Sequence, residues 1–231
     1  TLTLGGILEK SNNPCVVQVA LETGHDYYYP KLQEFGIGQF IGIGLQDEAT
    51  GYLTPFEYWT KLDLAVTSFG QSISATPLQI ISAISTIANE GARMRPYIIS
   101  KVEEADEIID YTPQVISSPI SEDTANMVAH MMEGVVRDGE AKYWFNKEIP
   151  NYSVAGKTGT AQIPKQTEAG YYEDRTNTTF IGFSPVENAK MIMMVRLEEP
   201  QLDVFSATTA VPLWVEIFKE IADDLEIPQT N

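Results

Sequence analysis

The sequence is poor in the residues from which disulfides and metal sites are built. It contains one cysteine, Cys15, and two histidines, His25 and His130. A single cysteine cannot form a disulfide within the chain, and Cys15 lies in an apolar stretch, so we expect a buried structural thiol. Two histidines so far apart in the sequence do not indicate a metal centre.

Basic residues are also scarce. The chain has 15 lysines and arginines against 32 aspartates and glutamates, which gives a formal net charge of −17. Because nucleic acids and anionic lipids repel a polyanion, both are disfavoured as partners. Long apolar runs are missing too. The most apolar stretch, residues 191–195, is far shorter than a membrane span, and no signal peptide is visible.

Hydrophobic periodicity predicts mostly helices in the first part of the chain and mostly strands in the second. The predicted helices cover residues 2–10, 14–24, 26–35, 76–91, 121–139 and 207–225. Pro212 lies inside the last of them, which predicts a kink or a late start. The predicted strands cover 96–101, 108–111, 152–160, 178–184 and 190–197, with an acidic turn around Asp106 and a polar loop over 163–176. Helices followed by an antiparallel sheet indicate an α+β fold.

Two helix starts carry local signals. Asn13 precedes Pro14 and is predicted to be the N-cap of the second helix, which places Ser11 in a junction between two helices. Thr76 is predicted to cap the fourth helix, with Pro77 in its first turn. The apolar face of this helix consists of Leu78, Ile80, Ile81, Ile84 and Ile87.

Several short sequence motifs, called phrases below, contain residues suited to catalysis or substrate binding. They are Ser11-Asn12-Asn13, SFGQ at 68–71, TPLQ at 76–79, KTGT at 157–160 and FIGFSP at 180–185. A Lys-[Ser/Thr]-Gly triplet arises by chance in roughly one chain of this length in ten, so no single phrase is decisive. Together, over about residues 2–220, they resemble the transpeptidase domain of class B penicillin-binding proteins of the cell division and elongation type.

The resemblance implies an α+β fold of the penicillin-binding and serine β-lactamase type, with an antiparallel sheet and a helical subdomain. Residues 1–231 would be part of one transpeptidase domain. Its helical part would cover about 1–140, and the sheet with its C-terminal helix about 150–227. One segment departs from the family, because Ile41 stands where threonine is usual. Phe69 of the SFGQ phrase is expected to be buried and to shape the wall of the cleft.

The family's second motif, Ser-x-Asn, corresponds here to Ser11-Asn12-Asn13. The resemblance implies that Ser11 relays a proton toward the leaving amine. It also implies that Asn13 hydrogen-bonds the substrate amide and helps to hold the lysine of the first motif. Without the resemblance, the same residues would be interpreted as an ordinary helix cap.

The third motif corresponds to residues Lys157 to Thr160. Lys157 would place a positive charge beside the cleft. The hydroxyls of Thr158 and Thr160 would bind the terminal carboxylate of a stem peptide ending in D-Ala-D-Ala. Gly159 would leave room for the substrate backbone, and the N–H of Thr160 would form half of an oxyanion hole. The resemblance implies no cofactor and no metal. Taken alone, KTGT would be interpreted as an exposed strand end.

The first motif, Ser-x-x-Lys, carries the nucleophile in this family, and no serine of this chain has a lysine at the third position after it. The chain begins with Thr1. We therefore expect the C-terminal part of a membrane-anchored peptidoglycan D,D-transpeptidase, with the nucleophile, the first sheet strands and the anchor upstream. The chain alone would leave a sheet edge uncovered and be marginally stable.

The expected protein would act at the extracytoplasmic face of the cell membrane, bind β-lactams and work with membrane-bound cell-wall synthesis proteins. Two other functions stay open. The chain could be a nucleophile-less pseudo-transpeptidase that acts as a peptidoglycan-binding or scaffold protein, or a β-lactamase or sensor on the same fold. The retained Ser11, Asn13 and KTGT speak against the first. The SFGQ and TPLQ phrases speak against the second, because they belong to the cell-wall branch.

Overall fold

The computed structural model describes residues 1–104, 107–165 and 167–230. The chain folds as two compact units, one made of residues 1–15 with the chain from 126 onward and the other of residues Val16–Ala125. The helices are α1 Leu4–Glu9, α2 Asn13–Thr23, α3 His25–Glu34, α4 Lys61–Thr67, α5 Pro77–Ala88, α6 Glu122–Arg137, α7 Lys142–Glu148 and α8 Ala210–Ile221. The strands are β1 Arg93–Met94, β2 Lys101–Glu103, β3 Ile108–Asp110, β4 Val115–Ser117, β5 Ala155–Pro164, β6 Tyr171–Ser184 and β7 Met191–Glu198.

The first unit is built on an antiparallel sheet with the strand order β5-β6-β7. Helix α8 packs against this sheet with an apolar face centred on Trp214, whose side chain is fully buried. The indole ring stacks on Phe218 and meets Phe180 of β6 edge-on, and its Nε1 donates a hydrogen bond to the carbonyl of Met193. The late start predicted for this helix is confirmed, because α8 begins at Ala210 and Pro212 lies in its first turn, where no N–H is needed.

Gly156 allows β5 to lie close to β6. A Cβ atom at this position would lie 2.4 Å from the ring of Phe180 and 2.8 Å from the carbonyl oxygen of Ile181. At Gly5 of α1, by contrast, the atom nearest to an added Cβ is Cγ of Met131 at 3.7 Å, an ordinary van der Waals distance. We expect Gly156→Ala to lower the free energy of unfolding by about 1–3 kcal/mol. Chemical denaturation measures it, with Gly5→Ala as the matched control. Equal effects of the two substitutions would contradict this account.

Two predictions about the strands are wrong. The polar loop over 163–176 is much shorter, because β5 extends to Pro164 and β6 starts at Tyr171, with Gln162 paired to Thr176. Tyr and Thr favour strands, and this preference outweighs the polarity of the segment. The strand predicted over 96–101 is not formed except at its last residue, since β1 ends at Met94 and β2 begins at Lys101. Asp106, placed in an acidic turn, lies outside the described residues.

In the second unit, α5 starts at the predicted cap, since the Thr76 hydroxyl accepts a hydrogen bond from the N–H of Gln79. The isoleucines of its predicted apolar face are half-buried, whereas the fully buried residues of this helix are polar. Gln79 donates to the carbonyl oxygens of Gln39 and Thr50, at 2.7 and 2.8 Å, and so ties the segment between these two residues to the helix. A hydrogen-bonded polar group can be buried at little cost, which apolar periodicity does not reveal.

The second unit also shows how far three further side chains, those of Arg93, Ile41 and Phe69, are buried. Arg93 is buried, with its guanidinium near the Ser82 hydroxyl and the Glu34 carbonyl oxygen, and burial lowers its pKa. Ile41, which departs from the family, is almost fully buried. Phe69 is 37% exposed, so the expectation that it is buried is wrong. In the described part of the chain, no helix is long and apolar enough to cross a membrane.

Candidate active site

Strand β5 carries the KTGT residues, and the ammonium group of Lys157 donates several hydrogen bonds. Its Nζ atom donates to the Ser11 hydroxyl at 3.0 Å and to both the carbonyl oxygen and the hydroxyl of Thr158 at 3.2 Å. An ammonium group has three protons, so these acceptors can use all of them. The structure therefore brings together Ser11 and Lys157, which lie far apart in the sequence but fold in the same unit.

Ser11 occupies the turn between α1 and α2 with a backbone φ of 46°. This left-handed conformation is uncommon for a residue other than glycine and is often found at functional sites. The turn is closed by Asn12, whose N–H donates to the Ile7 carbonyl and whose side chain accepts from the N–H of Cys15. Because a hydroxyl both accepts and donates hydrogen bonds, Ser11 can accept one from Lys157 and donate its own proton to another partner.

Asn13 does not cap α2, contrary to the prediction from its position before Pro14. The side chain of Asn12 makes the capping hydrogen bond, because the helix already begins at Asn13. The Asn13 side chain is exposed, and Lys157 does not donate to it. Within the described part of the chain, no hydrogen bond of the Asn13 side chain is found, and its role stays a prediction.

Thr158 connects Lys157 to a carboxylate. The Thr158 hydroxyl accepts from Lys157 and donates to Glu140 Oε2 at 3.3 Å. Burial lowers the pKa of Lys157, and the negative charge of Glu140 acts in the opposite direction. Lys157 thus lies in a partly desolvated place where one acidic neighbour helps to keep it charged.

Gly159 and Thr160 are tied to Ser206, a buried residue at the start of a short 3-10 turn. The Ser206 hydroxyl donates to the Gly159 carbonyl oxygen and lies 2.8 Å from the Thr160 hydroxyl. A hydroxyl has one proton, and Ser206 uses its proton for the Gly159 carbonyl. Thr160 is therefore the donor in the hydrogen bond between the two hydroxyls. The Thr179 hydroxyl donates to the same Gly159 carbonyl at 3.1 Å.

Glu140 and Ser206 are the neighbours of the KTGT strand that the sequence did not single out. Glu140 is one of 32 acidic residues, and it follows the predicted helix over 121–139 with no pattern of its own. Ser206 lies 46 residues from Thr160 in the chain. Only the folded arrangement of α6, β5 and the segment before α8 brings them to the site.

Comparisons with known proteins identify the family of this chain. The family model "Penicillin binding protein transpeptidase domain" matches residues 1–223. Stage V sporulation protein D of Bacillus subtilis is 32% identical over 97% of this chain, which covers 35% of that relative. Peptidoglycan D,D-transpeptidase FtsI of Buchnera aphidicola is 31% identical over 95% of this chain and 37% of its own length. The chain thus spans about a third of the length of these relatives.

A solved structure of penicillin-binding protein 3 from Mycobacterium tuberculosis, complexed with aztreonam, superposes with a TM-score of 0.89. It is 29% identical, and the match covers 99% of this chain and 53% of that one. The chain therefore belongs to the family of penicillin-binding protein transpeptidase domains. The resemblance to class B penicillin-binding proteins and the α+β transpeptidase fold are confirmed. The division near residue 140 and the roles of the individual site residues stay predictions.

Proposed function

We propose that the complete protein is a peptidoglycan D,D-transpeptidase that cross-links stem peptides by serine acyl transfer. The observation that carries this proposal is the 3.0 Å hydrogen bond from Lys157 Nζ to Ser11 Oγ. It brings Ser11, in the turn between α1 and α2, to Lys157 on strand β5, which supports the assignment of these residues to the second and third motifs of the family. The nucleophilic serine is proposed to lie in a Ser-x-x-Lys motif upstream of Thr1.

In the proposed reaction, that serine attacks the carbonyl carbon of the penultimate D-Ala, and the bond to the terminal D-Ala breaks. Ser11 relays to the departing amine the proton that the nucleophilic serine loses on attack, and is left protonated as before. Lys157 assists because its ammonium occupies a lone pair of Ser11 Oγ and directs the Ser11 proton elsewhere. The amine of a second stem peptide then attacks the acyl-serine, and the serine is released with the new cross-link formed. Asn13 would hydrogen-bond the substrate amide.

The substrate carboxylate would bind near Lys157 and the hydroxyls of Thr158 and Thr160. In the structure, these hydroxyls already donate to Glu140 and to Ser206, so binding requires each of them to rotate toward the ligand. Strand β5 is at one edge of the sheet, and an edge strand offers backbone groups to an extended peptide. The Thr160 N–H would supply half of the oxyanion hole.

The same site would be acylated by β-lactams, as the complexes of structural neighbours with aztreonam and ampicillin support. We further propose that the protein is held at the extracytoplasmic face of the cell membrane by an N-terminal anchor. There it would meet both its stem-peptide substrate and the membrane-bound cell-wall synthesis proteins.

Labelling with a fluorescent penicillin tests the proposal. We expect stoichiometric labelling of the complete protein that unlabelled penicillin prevents, and no labelling of residues 1–231 alone, because that chain has no Ser-x-x-Lys. If the complete protein binds peptidoglycan but is not labelled, the alternative of a nucleophile-less scaffold protein replaces this proposal. Stoichiometric labelling of residues 1–231 alone would also contradict it.

A further inference from the structure

A chain of hydrogen bonds crosses the site and ends on an acid. It runs from Ser11 Oγ to Lys157 Nζ, then to Thr158 Oγ1, and then to Glu140 Oε2. All four residues fold in the same unit, and Glu140 lies in the connection between α6 and α7. The groups that should bind a ligand carboxylate, Lys157 and Thr158, thus already lie beside the carboxylate of Glu140.

The Thr158 proton decides what this arrangement does to a ligand. Thr158 Oγ1 accepts from Lys157 and donates to Glu140 at 3.3 Å, so its single proton points at the protein's own carboxylate. A ligand carboxylate can take that proton only if Thr158 gives up its contact with Glu140. A glutamine at position 140 has the same shape but an amide that can donate to Thr158 Oγ1, which would free the proton for the ligand.

The negative charge of Glu140 also disfavours the binding of a ligand carboxylate. Glu140 offsets the positive charge of Lys157 and repels a second carboxylate beside it. The hydrogen bonds that Lys157 donates within the described part of the chain go to the uncharged Ser11 and Thr158. Since the Glu140 side chain is exposed, water screens the repulsion and keeps the effect moderate.

We propose that Glu140 is a specificity-determining and positioning residue of this cleft, which holds the Thr158 hydroxyl and weakens the binding of ligands that carry a carboxylate. The inference rests on the function proposed above. It assigns to Glu140 a role in binding and not in the bond-breaking step. Replacing it should therefore change the dissociation constant of the initial complex more than the acylation rate constant.

The test uses the complete protein with benzylpenicillin, which carries a carboxylate, and with its methyl ester, which does not. Acylation is followed by intact-protein mass spectrometry, so that the dissociation constant and the maximal rate are obtained separately. We expect Glu140→Gln to lower the dissociation constant of benzylpenicillin by about 3- to 10-fold and to leave that of the ester unchanged. Glu140→Asp keeps the charge but is one methylene too short to hold the Thr158 hydroxyl in the same way, so it should lower the dissociation constant of benzylpenicillin less than Glu140→Gln does.

Glu220→Gln is the matched control, because Glu220 is an exposed acid on α8 and its replacement removes the same charge. It should change neither ligand's dissociation constant. If Glu140→Gln leaves benzylpenicillin binding unchanged, or strengthens acid and ester equally, the inference is wrong while the proposed function stands. If the parent protein is not acylated at all, the proposed function fails and this inference fails with it.

Discussion

Replacement of Lys157 by methionine is expected to lower the second-order rate constant of penicillin acylation by roughly 100- to 10,000-fold in the complete protein. Methionine preserves most of the apolar stem but removes the ammonium group. Ser11 Oγ then loses its donor, and the two oxygens of Thr158 lose theirs. The cleft also loses the positive charge that should attract the ligand carboxylate.

The Lys157 substitution is informative because the ammonium is held in place by several partners at once. Its environment is partly desolvated, so each of its interactions is stronger than it would be in water. Arginine keeps the charge but is planar, and it cannot reproduce the compact contacts with Ser11 and Thr158. We therefore expect Lys157→Arg to recover only part of the lost rate.

Lys219→Met is the control for this experiment. Lys219 is an exposed lysine on α8 that pairs with Glu148, and its replacement removes the same charge. It should leave the acylation rate within about twofold, because exposed ion pairs contribute little. Thermal unfolding of both variants shows whether the fold is retained. Acylation of a folded Lys157→Met protein at the parent rate would contradict the role given to this residue.

The largest effect on stability is expected for Trp214→Ala, which should lower the free energy of unfolding by about 3–5 kcal/mol. Trp214 is fully buried at the centre of the first unit's core. Its ring centroid lies 5.1 Å from that of Phe218, 5.4 Å from that of Phe180 and 5.6 Å from that of Phe145. Alanine would remove these contacts and leave a cavity between α8 and the sheet.

The substitution also removes the donor to the Met193 carbonyl, which Trp214 Nε1 contacts at 3.0 Å. A buried carbonyl left without a donor adds about 1–3 kcal/mol to the cost unless water replaces the indole. Denaturant unfolding of the complete protein measures the change. Trp214→Phe should recover most of the apolar contact but not the hydrogen bond, and Leu213→Ala, at a more exposed position of the same helix, should cost far less. Similar losses for Trp214→Ala and Leu213→Ala would contradict this account of the core.

The sequence predicted the parts of the site that depend on local phrases. KTGT lies on a strand and Ser11 lies between two helices, as predicted, because strand and cap signals act over a few residues. It did not predict Glu140, which is 18 residues from Thr158, because one acid in an acidic chain has no distinguishing pattern. Contacts of this kind form only when the elements pack.

Helix α5 shows the opposite limit of a sequence pattern. Its cap at Thr76 was predicted correctly, because the cap is local. Its fully buried residues were not, because apolar periodicity singles out only the apolar residues of a helix. Here Gln79 and Ser82 are buried, and they hydrogen-bond the Gln39 carbonyl and the Arg93 side chain. Polar groups paired across distant parts of the chain can be found only in the folded structure.

The central claim is that this domain works with a nucleophilic serine which the present chain does not contain. Peptide mapping of the complete protein after reaction with a β-lactam tests it most directly. We predict a single covalent adduct, on a serine followed at the third position by lysine and located upstream of Thr1. An adduct on Ser11, or no adduct on a protein that is folded and binds peptidoglycan, would contradict the claim.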